Sequence, residues 1–157
     1  MFTRRALIIS GLLALTGCAR APQTSVTEHD LVTVYKNEGC GCCEKWVEHL
    51  KQSGFAVAVH DIDNLGPTKE RVGIPPAMGS CHTGEVGGYF VEGHVPADDI
   101  KRLLREHPDA KGLTVPGMPL GSPGMEVPGK KNQPYDVFLV SKDGTTSVYA
   151  HHGDDGG

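Results

Sequence analysis

Three cysteines within four residues, Cys40-Gly41-Cys42-Cys43, stand between a strand-like run (Leu31 to Lys36) and a helix-like run (Glu44 to Ser53). A fourth, Cys81, precedes His82. Thiols at the start of a helix feel the positive end of its dipole and several backbone N–H groups that lack intrahelical partners. That setting favours thiolate over thiol. Thiolates exchange disulfides and bind soft metals. Two structural disulfides would be the default for four cysteines in an oxidising compartment. Crosslinks of that kind are spread out to close long loops, whereas three of these four crowd into one turn and two are adjacent. The crowding points to redox or metal chemistry. Cys40 and Cys43 have the C-x-x-C spacing of a redox couple, a reading that leaves Cys42 and Cys81 unused. A closed four-cysteine zinc site fits the ligand count, but the adjacency of Cys42 and Cys43 strains tetrahedral chelation.

Other side chains could join the thiols. Met118 and Met125 each follow a glycine in a stretch without apolar period, where a core methionine is not expected. Met78 sits in strand context and reads as core. His82 follows Cys81 directly, so on a regular strand the two would point to opposite faces. His94 lies in a loop before a helix, a usual place for a solvated histidine. His49 reads as a surface residue of the motif helix, and His151 and His152 as part of a dangling end.

The elements that position these residues follow from periodicity. Met1 to Leu15 has a basic start at Arg4 and Arg5 and a short apolar run, and Leu15-Thr16-Gly17-Cys18 matches a lipoprotein cleavage box. Residues 1–17 are therefore expected to be a lipoprotein-type signal peptide, with Cys18 the lipidated first residue of the mature chain, residues 18–30 a tether, 31–150 the folded domain and 151–157 a tail. The location expected is the bacterial periplasm, anchored to a membrane. Removing the leader takes away two arginines and no acid, leaving 13 basic against 19 acidic residues, a net charge of −6. No basic run or aromatic platform points to nucleic acid.

Leu31 to Tyr35 reads as a buried strand. In the next helix Cys43, Trp46, Val47 and Leu50 fall at i, i+3, i+4 and i+7, one core-facing stripe, stopped at Gly54 with Phe55 as its contact. Ala56 to Ile62 is a second strand and Asp63 to Val72 a connector or short helix. Ala77 to Cys81 is a third strand candidate, Thr83-Gly84-Glu85 a turn and Val86 to Val91 a fourth strand. Pro96 starts a helix with Ile100, Leu103 and Leu104 on its apolar face. Residues 112–134 form a Gly/Pro-rich loop, and Tyr135 to Val140 with Thr145 to Ala150 a terminal hairpin. The fold class expected is α/β: a four-stranded mixed sheet with flanking helices, plus the Gly/Pro/Met loop and the hairpin. A thiol motif at the first strand-to-helix junction of such an order resembles the thioredoxin-like fold, and Gly73-Ile74-Pro75 resembles its cis-proline segment.

Cys40-Gly41-Cys42-Cys43 with Lys45-Trp46-Val47-Glu48-His49-Leu50, then Ser80-Cys81-His82-Thr83, Glu92-Gly93-His94-Val95-Pro96, and Val115-Pro116-Gly117-Met118-Pro119 with Gly121-Ser122-Pro123-Gly124-Met125-Glu126, resemble the CopG-like family of bacterial copper-resistance proteins, long described only as a domain of unknown function. The likeness spans roughly residues 31–141. It implies a thioredoxin-like domain, export, and copper handling, with copper ions and other envelope copper-handling proteins as partners. Cu(I) prefers thiolate, thioether and imidazole, so the implied metal site comprises Cys40, Cys42, Cys43, Cys81, His94, Met118 and Met125, with His82 the alternative imidazole. Four thiols exceed the need of one linear Cu(I) and suit bridging in a multinuclear site. Redox cycling of copper, with Cys40 and Cys43 as the catalytic pair, and metal-independent thiol-disulfide exchange both remain open.

Overall fold

The computed structural model describes residues 31–153; the expected signal peptide, Cys18, the tether and residues 154–157 lie outside them. Strands β1 (Leu31–Lys36), β2 (Ala56–Asp61), β3 (His82–Val86), β4 (Tyr89–Glu92), β5 (Ala110–Thr114), β6 (Tyr135–Ser141) and β7 (Thr146–His152) form one mixed sheet in the order β2-β1-β3-β4-β5-β6-β7. Helices α1 (Gly41–Gln52), α2 (Gly66–Val72) and α3 (Ala97–Glu106) flank it. The α/β class holds, but the sheet has seven strands instead of four, because β5 and the terminal hairpin continue it. β4 pairs in parallel with β5, and β5 antiparallel with β6. Among the described residues no helix is long and apolar enough to cross a membrane.

Helix α1 buries the expected stripe: Cys43, Trp46, Val47 and Leu50. It packs over Val32, Val34 and Val91, and α3 adds Ile100 and Leu103 to the same cluster. Helix α1 stops where glycine permits φ of 96° at Gly54, and the Phe55 N–H reaches back to the Leu50 carbonyl at 3.1 Å. The opposite face of the sheet carries a smaller cluster of Ile74, Phe90 and Val140.

Several expected boundaries move. The turn of the β3–β4 hairpin is Gly87-Gly88, both at positive φ, the backbone that a two-residue hairpin loop needs. The run Val86 to Val91 therefore straddles a turn. Thr83-Gly84-Glu85 is strand, and Gly84 belongs there because a Cβ would meet the Trp46 ring at 3.3 Å. Ala77 to Cys81 is not a strand: Pro76–Met78 forms one 3-10 turn, and the chain bends at Cys81. No peptide bond among the described residues is cis, so Gly73-Ile74-Pro75 does not reproduce the cis-proline segment. At the end of the chain β7 runs through His152, whose ring stacks on Tyr135 and whose Nε2 lies 2.7 Å from Asp99 Oδ2. His151 and His152 are thus part of the sheet and not of a dangling end.

Candidate metal centre

The hub of the site is the sulfur of Cys81. β3 lies antiparallel to β1, with His82 opposite Lys36. The segment before β3 is thereby carried to the end of β1, where α1 begins. Cys40 occupies the N-cap position of α1. Cys42 Sγ lies 3.6 Å from Cys40 Sγ and 3.9 Å from Cys81 Sγ. Cys40 and Cys43 are joined by a disulfide, and Cys42 and Cys81 are free, both partly exposed. Cys43 is fully buried.

On its other side Cys81 Sγ meets two imidazoles, His82 Nδ1 and His94 Nε2, each at 3.2 Å. The strand rule that sent Cys81 and His82 to opposite faces does not apply, because Cys81 sits in the bend before β3. Both side chains reach the site. His94, far from being a solvated loop residue, is fully buried. The backbone that delivers it turns at Gly93 with φ of 72°, where a Cβ would strike Ser80 and the Val115 carbonyl at 2.6 Å or less. His94 Nδ1 donates to the Pro123 carbonyl at 2.8 Å. That bond fixes the tautomer and leaves the Nε2 lone pair aimed at Cys81.

His82 packs its ring against Trp46, with centroids 4.3 Å apart, and edge-on to His94 at 4.9 Å. Its Nε2 is buried without a hydrogen-bond partner. Burial, reinforced by His94 and Lys69, holds the His82 imidazolium pKa well below the usual range, and burial lowers that of His94. Both rings are therefore neutral at physiological pH and keep a lone pair for a metal. Burial and the neighbouring Cys42 push the Cys81 thiol up to about 12, so Cys81 holds its proton until a cation or an oxidant displaces it.

The Gly/Pro-rich segment is ordered by packing. The Gly117 N–H donates to the Gly79 carbonyl at 3.2 Å, and the Ser80 hydroxyl donates to the Gly117 carbonyl. Thr114 Oγ1 donates to the Met78 carbonyl at 2.7 Å. Gly124, with φ of 89°, lies on the first turn of α1, where a Cβ would come within 2.8 Å of the Cys42 carbonyl. The loop thus closes over the thiol motif. Met125 is partly buried in it, while Met118, beside Gly117, is 52% exposed.

Sequence reasoning missed the support beneath the site. Glu92 is fully buried on the far face of the sheet. Its carboxylate accepts the Ser80 N–H at 2.5 Å, the Thr83 hydroxyl at 2.7 Å and the Lys69 ammonium. One buried carboxylate thereby holds the residues on both sides of Cys81 and His82, Ser80 through its backbone and Thr83 through its side chain. The signal was a lone acid ending an apolar strand, Tyr89-Phe90-Val91-Glu92. His49, read as a surface residue, is half-buried and accepts the Ala97 N–H at 3.1 Å, capping α3.

Ligand atoms of Cys40, Cys42, Cys43 and Cys81 all lie within 4.8 Å of one another, and those of Cys81, His82 and His94 form a second group of the same span. A family model described as "Protein of unknown function, DUF411" matches residues 78–125, the segment holding Cys81, His82, His94, Met118 and Met125. Two solved structures, "Copper resistance protein copG- Form 1" and "Form 2", are each 46% identical over 78% of this chain. They are covered over 96% and 97% of their own length, with TM-scores of 0.73 and 0.74. The chain belongs to the CopG-like copper-resistance family. No curated protein matches it. For a CopG-like protein the donor set is chemically apt: sulfur and neutral imidazole with no carboxylate in either group, the ligands that soft copper prefers.

Proposed function

We propose that this protein binds Cu(I) in the bacterial periplasm, for copper resistance or homeostasis, tethered to a membrane through lipid on Cys18. The reading is supported first by one observation: Cys81 Sγ is common to both ligand groups. A thiolate has lone pairs enough to bridge, so a shared sulfur supports more than one copper per chain. Cys40, Cys42, Cys43 and Cys81 supply sulfur once the Cys40–Cys43 disulfide is reduced, and His82 and His94 supply neutral nitrogen. Both imidazoles serve, where the sequence had left a choice between them. Met118 and Met125 supply thioethers from the loop over the motif; the exposure of Met118 suits a ligand that meets incoming or departing copper. Copper here is cargo, with other envelope copper-handling proteins as its donors and acceptors.

Titration of the anaerobically reduced chain against a competing Cu(I) chelator tests this. More than one Cu(I) per chain is expected. An endpoint at one ion would remove the multinuclear site, and no uptake would remove the function.

A second reading, thiol-disulfide exchange without metal, draws support from the bonded Cys40–Cys43 pair at the start of α1. It predicts exchange with external disulfides that is lost on Cys40→Ser and indifferent to the methionines.

A further inference from the structure

The two ends of the sheet differ in charge. Strands β1 and β2 start together, with Leu31 opposite Ala56. The β3–β4 turn, the start of β5 and the turn after β6 lie at that same end, because Thr33 faces Glu85, Phe90 faces Gly112 and Ala110 faces Ser141. Helices α1 and α3 finish there too, since each leads into a strand that starts there. Cys40, Cys81 and His94 lie at the other end, where β1 and β4 finish and β3 starts. The six residues of β1 set the two ends about 17 Å apart.

The end away from the thiols is basic. A hollow beside the α1–β2 corner is lined by Ser53, Gly54 and Phe55 with Lys101 and Arg105. A second hollow, beside the β3–β4 turn, is lined by Gly88 with Arg71, Lys111 and Lys142. Lys51 is exposed in the last turn of α1. Of the acids at this end, Glu85 and Glu106 are paired with Arg71 and Arg102. That leaves Asp109 and Asp143 against Lys51, Lys101, Arg105, Lys111 and Lys142; Lys101 also meets Asp98 at 3.6 Å. Residues 31–153 hold 12 basic and 15 acidic side chains, so this end runs against the charge of the domain. Glu38, Glu44, Asp61, Asp63, Glu126 and Asp136 lie toward the thiol end.

We propose that the basic end docks on the anionic headgroups of the bilayer that carries the anchor, which turns the thiol end toward the aqueous compartment. The partner is a membrane surface rich in phosphatidylglycerol-type phosphates. The inference rests on the lipid anchor proposed above for its place in the cell, while docking itself needs only the folded surface. Leu31, the first described residue, is exposed at the basic end. It lies 13 residues after Cys18, a reach of at most about 45 Å when fully extended. An anchor on Cys18 therefore draws on the basic end and not on the thiol end. Charge attraction to the headgroups acts over about 10 Å at 0.1 M salt. The acids of the thiol end stand beyond that range and do not cancel it. Arg105 can meet a phosphate with two N–H groups, and the lysines act as point charges. Docked this way, the copper site is presented to donors and acceptors in solution.

The test uses the chain from residue 18 onward, the form expected after leader removal, with Cys18→Ser so that no lipid contributes. It is sedimented at low ionic strength with vesicles of phosphatidylglycerol and phosphatidylcholine, and with vesicles of phosphatidylcholine alone. Binding to the anionic vesicles alone is expected, reversed by added salt. Near an anionic bilayer each Lys or Arg is worth about fivefold in affinity. Lys51→Ala, Arg105→Ala and Lys142→Ala together should therefore weaken binding by at least about tenfold. Lys45→Ala, Lys130→Ala and Lys131→Ala together remove the same charge from the thiol end and should leave binding unchanged. The fold of each variant is checked by circular dichroism. No preference for the anionic vesicles, or equal losses in the two triple variants, overturns the proposal. Lipid on Cys18 is read separately, from the mass of the N-terminal peptide of protein extracted from cell membranes. Vesicle binding without that lipid removes the anchor and leaves the docking surface. Lipid without vesicle binding removes the docking surface and leaves the anchor.

Discussion

Replacing Trp46 with Ala perturbs core and site together. The indole is fully buried, donates from Nε1 to the Val95 carbonyl at 2.8 Å, and packs against the tilted ring of His82. Gly84 lies directly under the ring, with no side chain to fill the space the ring would leave. Truncating a buried Trp to Ala costs about 3–5 kcal/mol when the cavity cannot collapse, and the glycine floor places this site at the upper end. Leaving the Val95 carbonyl without its donor adds about 1 kcal/mol. The sum is about 4–6 kcal/mol. For a domain of this size each kcal/mol lowers Tm by about 3–5 °C, so a fall of roughly 15–25 °C is expected. The assay is urea unfolding of the reduced, metal-free chain followed by far-ultraviolet circular dichroism, since the variant has no tryptophan to report by fluorescence. Trp46→Phe separates the terms: it keeps most of the apolar volume and should cost only about 1–2 kcal/mol. A loss of a few tenths in Trp46→Ala, or equal losses in the two variants, would refute the account of this helix face.

The double change Met118→Ala with Met125→Ala should weaken Cu(I) binding by about tenfold, 1.4 kcal/mol, with the fold intact; unchanged affinity would strike the thioethers from the site. Thioethers carry no proton, so that loss should be the same at pH 6 and pH 8, whereas affinity in both proteins should fall with acid as thiols, Cys81 among them, retain their protons. Burial lowers the pKa of His49, whose Nε2 accepts the Ala97 N–H. The folded state therefore binds fewer protons than the unfolded one below about pH 6.5. Its contribution to stability is full above that pH and is lost as pH falls through the lowered value, with a slope of at most about 1.4 kcal/mol per pH unit. His49→Gln should flatten the stability–pH curve of the metal-free protein between pH 6.5 and 5, and an unchanged curve would exclude this role. Glu92→Ala leaves Lys69 and the Ser80 N–H without their buried partner and should cost about 3–5 kcal/mol in urea; under 1 kcal/mol would show the carboxylate to be dispensable.

Local sequence determined a good deal here. The α1 stripe of Cys43, Trp46, Val47 and Leu50 was legible because a helix repeats every 3.6 residues and one face must be apolar. The thiol cluster was legible because three of its members share a single turn. The family was legible because its motifs are short, ordered and rich in Cys, His, Gly and Pro. What depended on partners distant in sequence was not legible. Residues 112–134 have no period because much of their order comes from Gly79, Ser80 and the first turn of α1, not from their own repeat. Ala110–Thr114 is a strand because β4 and β6 lie on either side of it. The β-rule misplaced His82 because it presumes a regular strand through Cys81, and only the tertiary bend at Cys81 decides that both side chains converge. Glu92 shows the same limit. A carboxylate at the end of an apolar strand reads as a boundary to solvent, and folding buries it by bringing Lys69, Ser80 and Thr83 to meet its charge. The sequence by itself determined which donors exist and which helix presents three of them; the tertiary structure decided that Cys81 would join thiols to imidazoles, because strand pairing alone brings segments so far apart in the chain within reach of one sulfur.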